Sequence, residues 1–427
     1  MSITAQSAMH HPTPTQLHWQ RAGVGVFLHF GLNTFAGVEW SDGTLPASAF
    51  NPVHLDARQW VAAAKVAGAA YVVLTAKHHD GFCLWPTSTT DYSVASSPWR
   101  DGTGDVVREL ADACADAGMG LGLYLSPWDR HEPRYSDPAA YDDFYCAQLT
   151  ELCTRYGELV EVWFDGAGSA GRKYDWERIV DVVRTHQPQA VIFNMGDPDI
   201  RWVGNEDGLA ADPVEYVVDV TRNDVHTDEM LGFGARYLPP ECDVSLRHSW
   251  FWHPDDAPKS LEHLLAIHYR SVGLGANLLL NIPPNREGLI DEADMARLQD
   301  YAEERTRRFG APLPATLTLL APGRWKADFG AGVRIDHLEL AEHLDDGQRV
   351  AEHRVLVSGE EICAGLSIGS RRLHAFPERT VSTIEIEATG PAPVLSSVCG
   401  FRTGAESIPV PPPVEEYRAG DGDMILM

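Results

Sequence analysis

A chain of 427 residues can hold two or three ordinary domains, or a (β/α) barrel of about 250 residues followed by a smaller domain. Hydrophobic residues make up 44% of the sequence and charged residues 22%, which is typical of a globular protein with a sizeable core. The formal net charge is -27, and an acidic surface of this kind repels phosphate backbones. Nucleic acid is therefore not an expected partner.

The cysteines and the N-terminal residues indicate in which cellular compartment the protein is expected. The 7 cysteines are odd in number and include no C-x-x-C spacing, so we expect reduced thiols rather than a disulfide framework or a zinc site. No run of about 18 apolar residues is present, and no transmembrane helix is expected. Residues 1–20 lack the basic start and apolar core of a secretory signal. We expect a cytoplasmic protein without membrane association.

From residue 24 to about residue 284, short apolar segments alternate with stretches of helical periodicity. Continuous apolar runs rich in Val, Leu and aromatic residues indicate strands that are buried on both faces. The predicted strands are residues 24–30, 71–76, 121–126, 159–164, 190–193 and 278–282, and the predicted helices are residues 55–67, 105–117, 138–156 and 176–186. A left-handed C-cap favours glycine, and four glycines are each expected to follow the last residue of a helical stretch: Gly68, Gly118, Gly157 and Gly273.

The repeated helix–glycine–strand unit implies right-handed crossovers and a parallel sheet, and six or seven such units favour closure into a barrel. A further helix is predicted at residues 287–308. Beyond residue 312 the pattern changes to short alternating segments separated by turns such as Ser358-Gly359, which predicts a β-sandwich. We therefore predict an α/β fold, with a (β/α) TIM-like barrel over residues 1–310 and a C-terminal β-sandwich over residues 311–427.

Candidate functional residues follow the predicted strands, because functional residues of a (β/α) barrel gather at the C-terminal ends of its strands. Residues 201–206, 241–243 and 250–253 are expected to be loops at the same end. The candidates are His29, Trp40, His78, His79, Tyr124, Trp128, Trp163, Asp165, Arg201, Trp202, Glu206, Glu241 and Trp252.

This mixture of side chains suits a sugar. Imidazole and indole N–H groups bind ring hydroxyls, aromatic faces cover the C–H patches of a pyranose, and two carboxylates can act as nucleophile and proton donor. Each residue also has a simpler role open to it. His29 could be a core histidine, Asp165 could cap the next helix, and the loop glutamates could be solvated.

Three strings stand at the ends of predicted strands: V-F-L-H-F-G at residues 26–31, Y-V-V-L-T-A-K-H-H-D-G-F-C-L-W at residues 71–85, and W-F-D-G at residues 163–166. These strings resemble glycoside hydrolase family 29, the α-L-fucosidases, and the resemblance runs from about residue 18 to the end of the barrel. It implies a retaining exo-α-L-fucosidase that acts on fucosylated oligosaccharides and needs no metal or other cofactor.

The resemblance also implies roles for individual residues. Asp165 of W-F-D-G matches the nucleophile of the family. The histidines His29, His78 and His79 match residues that bind fucose hydroxyls, and Tyr124 and Trp163 match aromatic residues of the same pocket.

Residues 124–129, 201–206 and 240–245 resemble the subfamily that prefers α-1,3- and α-1,4-linked fucose on branched, Lewis-type glycans. In that subfamily the glutamate of R-W-x-G-N-E resembles the acid/base, which is Glu206 in this chain. The broader subfamily has a W-E-x-C-type segment where this chain reads Pro240-Glu241-Cys242, so Glu241 is the alternative acid/base. Loops around Trp128, residues 201–206 and residues 250–253 are expected to form a second subsite.

Two other functions are weighed against this one. A metal-dependent hydrolase on the same barrel would use the three histidines and Asp165 as ligands, but the first strand lacks an H-x-H pair and adjacent histidines do not easily share one ion. A non-catalytic fucose-binding protein is the second alternative, and the presence of Asp165 with a candidate acid argues against it. The sequence predicts neither the natural glycan nor the oligomeric state.

Overall fold

The computed structural model describes residues 11–169, 171–220, 234–405 and 407–413. The α-helices are α1 Pro14–Ala22, α2 Leu32–Ala36, α3 Ala57–Ala67, α4 Val106–Ala117, α5 Pro138–Arg155, α6 Trp176–His186, α7 Leu261–Arg270 and α8 Glu292–Phe309. The strands up to α8 are β1 Val24–Leu28, β2 Tyr71–Lys77, β3 Gly120–Leu125, β4 Glu161–Trp163, β5 Val191–Phe193, β6 Arg201–Trp202, β7 Val217–Asp219, β8 Ala235–Tyr237, β9 Pro240–Ser245 and β10 Asn277–Asn281.

Eight parallel strands form a barrel in the order β5-β4-β3-β2-β1-β10-β9-β6. The two ends of this order meet where Phe193 and Ile200 form a parallel bridge, so the barrel is almost closed. The remaining pair, β7 and β8, is a small antiparallel ribbon outside the barrel. The predicted (β/α) barrel is confirmed.

The barrel interior is a packed core of its own, as the alternation of side chains along a strand requires. Phe27, Tyr71, Trp163 and Phe193 belong to this interior cluster, and a larger apolar cluster fills the space between the barrel and its helices. Within the described ranges, none of the helices combines the length and the apolar character that a membrane span needs. The seven cysteines are free thiols.

The expectation of loops at residues 201–206 and 241–243 is wrong in part, because Arg201–Trp202 and Pro240–Ser245 are barrel strands. In β9, Cys242 and Val244 pack toward the helices, whereas Glu241 bonds to side chains of the barrel interior. Since the inward-facing positions of this strand are acidic, the sequence has no continuous apolar run to indicate it.

Helix ends follow the predicted pattern at three of the four glycines. Gly68, Gly118 and Gly157 have φ of 82°, 64° and 86°, in the left-handed region that glycine adopts without steric cost. The prediction for Gly273 is wrong, because this residue lies in a short 3-10 helix, Val272–Leu274, that follows α7. The left-handed position is taken by Gly275, with φ 92°.

An antiparallel β-sandwich follows α8, as predicted. Its strands are β11 Leu313–Pro314, β12 Thr316–Ala321, β13 Arg324–Glu342, β14 Glu352–Val357, β15 Glu360–Gly365, β16 Arg372–Thr389 and β17 Leu395–Phe401. They enclose a separate apolar core around Ile335, Val355 and Ile384. The Ser358-Gly359 turn joins β14 and β15, with φ of 51° and 85°.

Candidate active site

One pocket of about 710 Å³, measured with its open mouth, lies at the carboxyl end of the barrel strands. The lining residues are Phe27, His29, Glu39, Trp40, His78, His79, Tyr124, Trp163, Asp165, Gly166, Ala167, Phe193, Asn194, Trp202, Glu206, Asp243 and Trp250. Most of the residues predicted from the sequence are therefore brought together. The candidates that do not line this pocket are Trp128, Arg201, Glu241 and Trp252.

Asp165 follows β4 and is held at both of its carboxylate oxygens. The hydroxyl of Tyr124 donates to Oδ2 at 2.9 Å, and the backbone N–H of Ala167 donates to Oδ1 at 2.8 Å. Nε2 of His79 lies 3.5 Å from Oδ2. The Asp165 side chain is 24% exposed, so its orientation is fixed while the carboxylate stays accessible from the pocket.

His29 and His79 are buried, and their hydrogen bonds determine which ring nitrogen carries the proton. Nδ1 of His29 lies 2.9 Å from Oδ1 of Asn281, an oxygen that can only accept, so Nδ1 carries the proton. Nδ1 of His79 lies 2.7 Å from the Ser126 hydroxyl, which gives its own proton to a backbone carbonyl at 2.6 Å. In the neutral form, both rings therefore keep an unprotonated Nε2, a hydrogen-bond acceptor.

His78 has the opposite tautomer. The side-chain amide of Asn33 donates to the carbonyl of Glu39 at 2.9 Å and lies 3.5 Å from Nδ1 of His78. The amide orientation is fixed, because the Asn33 oxygen accepts from the backbone of Ser41. Nδ1 of His78 is therefore an acceptor, and Nε2–H is the donor of this ring.

Burial keeps these three rings neutral. It lowers the pKa of His29 to about 3 and that of His79 to about 4, and it holds the pKa of His78 well below its usual range. The pocket wall thus offers two imidazole acceptors and one imidazole donor without a positive charge. Such a set matches the hydroxyl groups of a neutral sugar, each of which both donates and accepts.

Trp163 forms part of the aromatic floor of the pocket. Its ring stacks on Phe193 at 3.9 Å between centroids and on Tyr124 at 5.3 Å. Its indole N–H donates to Glu241 at 3.1 Å, and the Tyr71 hydroxyl donates to the other oxygen of Glu241 at 2.9 Å. Glu241 is thus fully buried below the floor rather than part of the pocket wall.

Glu161 accompanies Glu241 inside the barrel, where both carboxyl groups are fully buried. Trp19 donates its indole N–H to Glu161 at 3.1 Å. Burial raises the pKa of both groups, and their mutual repulsion raises that of Glu161 further. The pair therefore holds a proton near neutral pH, because two adjacent buried carboxylates do not both ionise.

Glu206 lies at the rim of the pocket, on the loop after β6, and only β5 separates β6 from the strand that carries Asp165. The indole N–H of Trp250 donates to Glu206 at 3.2 Å. A second carboxyl group, Asp243, lines the same pocket and accepts from the indole N–H of Trp202 at 2.7 Å. Burial and the negative charge of Glu206 raise the pKa of Asp243 well above its usual range.

Asp243 is absent from the candidates drawn from the sequence. The alternation of β9 places residues 241 and 243 on one face, Glu241 below the floor and Asp243 in the pocket, so recognition of this strand would have identified it. Asn194 directly follows β5, and Trp250 lies in a loop that was expected at this end, so both had a positional signal in the sequence. Glu39 comes from a segment without a strand-end signal. Glu39 accepts from the backbone N–H of Trp250 at 3.1 Å, a contact between distant loops.

Trp128, Arg201 and Trp252, which were predicted but do not line the pocket, make contacts elsewhere. Trp128 meets Trp40 edge-on at 5.5 Å and lies 5.0 Å from His79. Arg201 donates to the carbonyl of Glu215 at 3.1 Å. The indole N–H of Trp252 donates to Asp291 at 2.5 Å. Trp128 contacts two lining residues, whereas these bonds tie Arg201 and Trp252 to residues outside the pocket.

Across the described part of the chain, no group of three or more His, Cys, Asp or Glu side chains is arranged to hold a metal ion. The residues of the K-H-H-D segment make contacts other than metal ligation. Lys77 is fully buried and pairs with Asp129 at 2.9 Å, and the two histidines face the pocket.

Comparisons with known proteins identify the family to which this chain belongs. The family model described as alpha-L-fucosidase matches residues 38–303. The chain is 42% identical over 412 residues to alpha-L-fucosidase 1 of Arabidopsis thaliana, covering 86% of this chain and 81% of that protein. A crystal structure of a glycoside hydrolase 29 family member from an unknown rumen bacterium is 33% identical, with a TM-score of 0.84 over 94% of this chain and 79% of that one. The Ruminococcus gnavus GH29 fucosidase in complex with fucose is 28% identical, with a TM-score of 0.81 over 92% of this chain and 95% of that one. The chain belongs to the α-L-fucosidases of glycoside hydrolase family 29.

Proposed function

We propose that this α-L-fucosidase is a retaining, exo-acting enzyme in which Asp165 is the nucleophile and Glu206 is the acid/base. The observation that carries the proposal is the setting of Asp165. Its carboxylate is oriented by Tyr124 and Ala167 and is still accessible from a pocket that also contains Glu206. A retaining glycosidase needs one carboxylate that attacks the sugar and a second carboxyl group that protonates the leaving oxygen.

The reaction has two steps. In the first, a carboxylate oxygen of Asp165 attacks the anomeric carbon of fucose, the glycosidic C–O bond breaks, and the departing oxygen takes the proton of Glu206. In the second, the Glu206 carboxylate takes a proton from water, the water oxygen attacks the anomeric carbon, and the ester bond to Asp165 breaks. Two inversions leave fucose with its original configuration, and both carboxyl groups return to their starting states.

Position favours Glu206 over Glu241 as the acid/base. Glu206 lines the pocket, whereas Glu241 is fully buried under Trp163 and already accepts two hydrogen bonds. Asp243 is the rival that the pocket itself offers, because it is a pocket carboxyl group with a raised pKa. In this account Asp243 is a neighbour that accepts the indole N–H of Trp202, and Glu206 transfers the proton to the leaving oxygen.

Fucose fits the pocket by its chemistry. His29 and His79 accept hydrogen bonds from hydroxyls, His78 donates one, and the floor made by Phe27 and Trp163 covers an apolar face. The similar Ruminococcus gnavus enzyme was solved with fucose, which supports the same ligand here. The closed floor favours release of a terminal residue.

We further propose a preference for α-1,3- and α-1,4-linked fucose on branched glycans, on the basis of the subfamily-like segments around Trp128 and residues 201–206. Trp202 and Trp250, which bond to the two rim carboxyl groups, offer aromatic surface for a neighbouring sugar. Side-by-side hydrolysis of α-1,2-, α-1,3-, α-1,4- and α-1,6-linked substrates tests this. Faster cleavage of an unbranched α-1,2 substrate than of a branched one would contradict it.

The retaining mechanism is tested by recording proton NMR spectra during hydrolysis. We expect α-L-fucose to form first and to mutarotate later, whereas initial release of β-L-fucose would refute the mechanism. We also expect external azide to restore turnover to Asp165→Gly and to yield β-L-fucosyl azide. Loss of wild-type activity on treatment with a strong chelator would favour the metal-dependent alternative, and binding without hydrolysis would favour the non-catalytic one.

A further inference from the structure

The loop that carries Glu206 begins at a very short strand. Strand β6 has two residues, and its ladder partner is β9. The backbone N–H of Val203 continues the pairing with a 3.0 Å bond to the carbonyl of Glu241, and Asn205 closes the following turn by donating to the carbonyl of Leu209 at 2.8 Å. Asp207, the residue after Glu206, forms an antiparallel bridge with Val244 of β9, so the barrel fixes the near end of the loop and the far end is fixed separately.

The far end of the loop is bound by the C-terminal β-sandwich. Arg372, at the start of β16, forms a two-bond ion pair with Asp212, in which each guanidinium NH2 group donates to one carboxylate oxygen at 2.8 Å. The Arg372 side chain is 7% exposed and that of Asp212 is 36% exposed. A partly buried pair with this fork geometry is stronger and more directional than a surface ion pair.

Two more sandwich side chains bind the backbone just beyond Asp212. The side-chain amide of Gln348 donates to the carbonyl of Val214 at 2.8 Å and accepts from the N–H of Tyr216 at 3.0 Å, as a neighbouring strand would. The hydroxyl of Ser367 donates to the same Val214 carbonyl at 3.0 Å. The hydrogen-bonding capacity of the Val214 carbonyl and of the Tyr216 N–H is therefore satisfied by side chains of the β-sandwich.

Tyr216 completes the attachment. Its side chain is fully buried, its hydroxyl donates to the carbonyl of Gly275 in the barrel at 2.6 Å, and it accepts from the backbone N–H of Ser370 in the sandwich at 2.8 Å. A Cβ atom at Gly369 would lie 2.4 Å from this hydroxyl, so the approach requires glycine there. Arg201 in β6 donates to the carbonyl of Glu215, which links this segment back to the start of the loop.

We propose that these contacts form a loop clamp, through which the C-terminal β-sandwich positions Glu206 for proton transfer. The loop clamp consists of Asp212, Val214 and Tyr216 on the barrel side and Gln348, Ser367 and Arg372 on the sandwich side. It rests on the proposed acid/base role of Glu206, which lies between β6 and the clamp in the chain. The clamp residues are positioning residues, and a misplacement of about 1 Å can cost on the order of 100-fold in rate.

The test compares Arg372→Met with a matched control, Arg379→Met. Both arginines lie on β16 and pair with a carboxylate. Arg379, however, pairs at 3.3 Å with Glu360, which belongs to the same domain, so this pair does not reach the barrel. kcat/KM, which reports the first bond-breaking step, is measured on a fucosylated oligosaccharide and on a dinitrophenyl fucoside. The dinitrophenolate leaves without a proton, so only the oligosaccharide depends on the acid.

For Arg372→Met we expect a loss of about 10- to 100-fold on the oligosaccharide and less than about threefold on the dinitrophenyl fucoside. Arg379→Met should change neither substrate by more than about twofold. Tyr216→Phe removes one hydroxyl and keeps the ring. It should also lower kcat/KM more for the oligosaccharide than for the dinitrophenyl fucoside, by a smaller factor, and it replaces Arg372→Met in the test if that variant does not fold. Equal losses on the two substrates in these clamp variants would overturn the inference, because a purely structural role affects both alike.

Glu206→Gln, measured beside them, separates the two proposals. If Glu206→Gln is selective for the oligosaccharide and the clamp variants are not, the loop clamp is refuted and the acid/base assignment stands. If Glu206→Gln is not selective, the acid/base assignment fails, and the loop clamp fails with it as a device for that role.

Discussion

The hydroxyl of Tyr124 donates a 2.9 Å hydrogen bond to Oδ2 of Asp165. Tyr124 is fully buried, and burial together with the neighbouring Asp165 raises the pKa of this phenol well above its usual range. The phenol therefore keeps its proton throughout the working pH range. It can hold the Asp165 carboxylate in one orientation relative to the sugar.

Tyr124→Phe should therefore lower kcat by about 10- to 100-fold, the scale of one hydrogen bond to a charged group, with a smaller change in KM. Steady-state kinetics on an aryl fucoside measures both constants. Tyr145→Phe is the matched control, because this buried hydroxyl donates to the carbonyl of Leu125 at 2.7 Å outside the pocket. Unchanged kcat in Tyr124→Phe would show that the hydroxyl does not assist the reaction.

The three pocket histidines should give an unusual pH dependence of fucose binding. Because burial lowers the pKa of His29 to about 3 and of His79 to about 4, both rings stay neutral and accept hydrogen bonds at every pH well above 4. The inhibition constant of L-fucose should be flat between about pH 5 and pH 8 and should rise only as pH falls toward 4. A transition near pH 6.5, the ordinary histidine value, would contradict the neutral assignment.

The two carboxyl groups at the rim, Glu206 and Asp243, can be distinguished by how strongly each affects substrates with poor leaving groups. Glu206→Gln should reduce kcat/KM far more for oligosaccharides than for activated aryl fucosides, whereas Asp243→Asn should retain the wild-type leaving-group dependence. Burial and the negative charge of Glu206 both raise the pKa of Asp243, so the two carboxyl groups interact, and the leaving-group dependence is what distinguishes the proton donor from its neighbour. The reverse pattern of leaving-group effects would assign the acid to Asp243.

Glu241 should influence stability in a pH-dependent way. Burial raises its folded-state pKa, so the native state keeps a proton that the unfolded chain releases near pH 4.3. The wild-type protein therefore loses stability from this group as pH rises from about 5 toward neutrality, by at most about 1.4 kcal/mol per unit. Glu241→Gln has no such loss, so its Tm relative to wild type should increase between pH 5 and pH 8.

Glu151→Gln is the control for this measurement. Burial opposes ionisation of Glu151, but hydrogen bonds from Ser88 and Trp85 lower its pKa overall. Glu151 is therefore ionised in both folded and unfolded states above about pH 5, and the Tm difference for Glu151→Gln should be negative and constant over the same range. A constant difference for Glu241→Gln as well would mean that Glu241 is ionised in the native protein.

The sequence alone was sufficient for the barrel, the sandwich and most of the pocket. His29, His78, His79 and Asp165 follow strands whose apolar runs are unmistakable, and parallel strands in a barrel place their ends together. A strand that is buried on both faces is the easiest element to predict, because its sequence is a continuous apolar run.

The rest depended on contacts between distant segments. Glu241 and Asp243 lie on a strand whose inward positions are acidic, so β9 was expected to be a loop. Arg201 was expected to bind substrate, but the fold directs its guanidinium to the carbonyl of Glu215. The pairing of Glu39 with Trp250 joins loops about 200 residues apart, and no local pattern encodes such a contact.

The role of Asp165 as the nucleophile is tested most directly by trapping the enzyme with 2-deoxy-2-fluoro-L-fucosyl fluoride and mapping the modified peptide by mass spectrometry. The fluorine at C2 slows both steps, while fluoride leaves without the help of the acid, so the ester intermediate accumulates. We expect a single fluorofucosyl group on the carboxylate of Asp165. A label on Glu206, Asp243 or any other carboxylate would contradict the assignment.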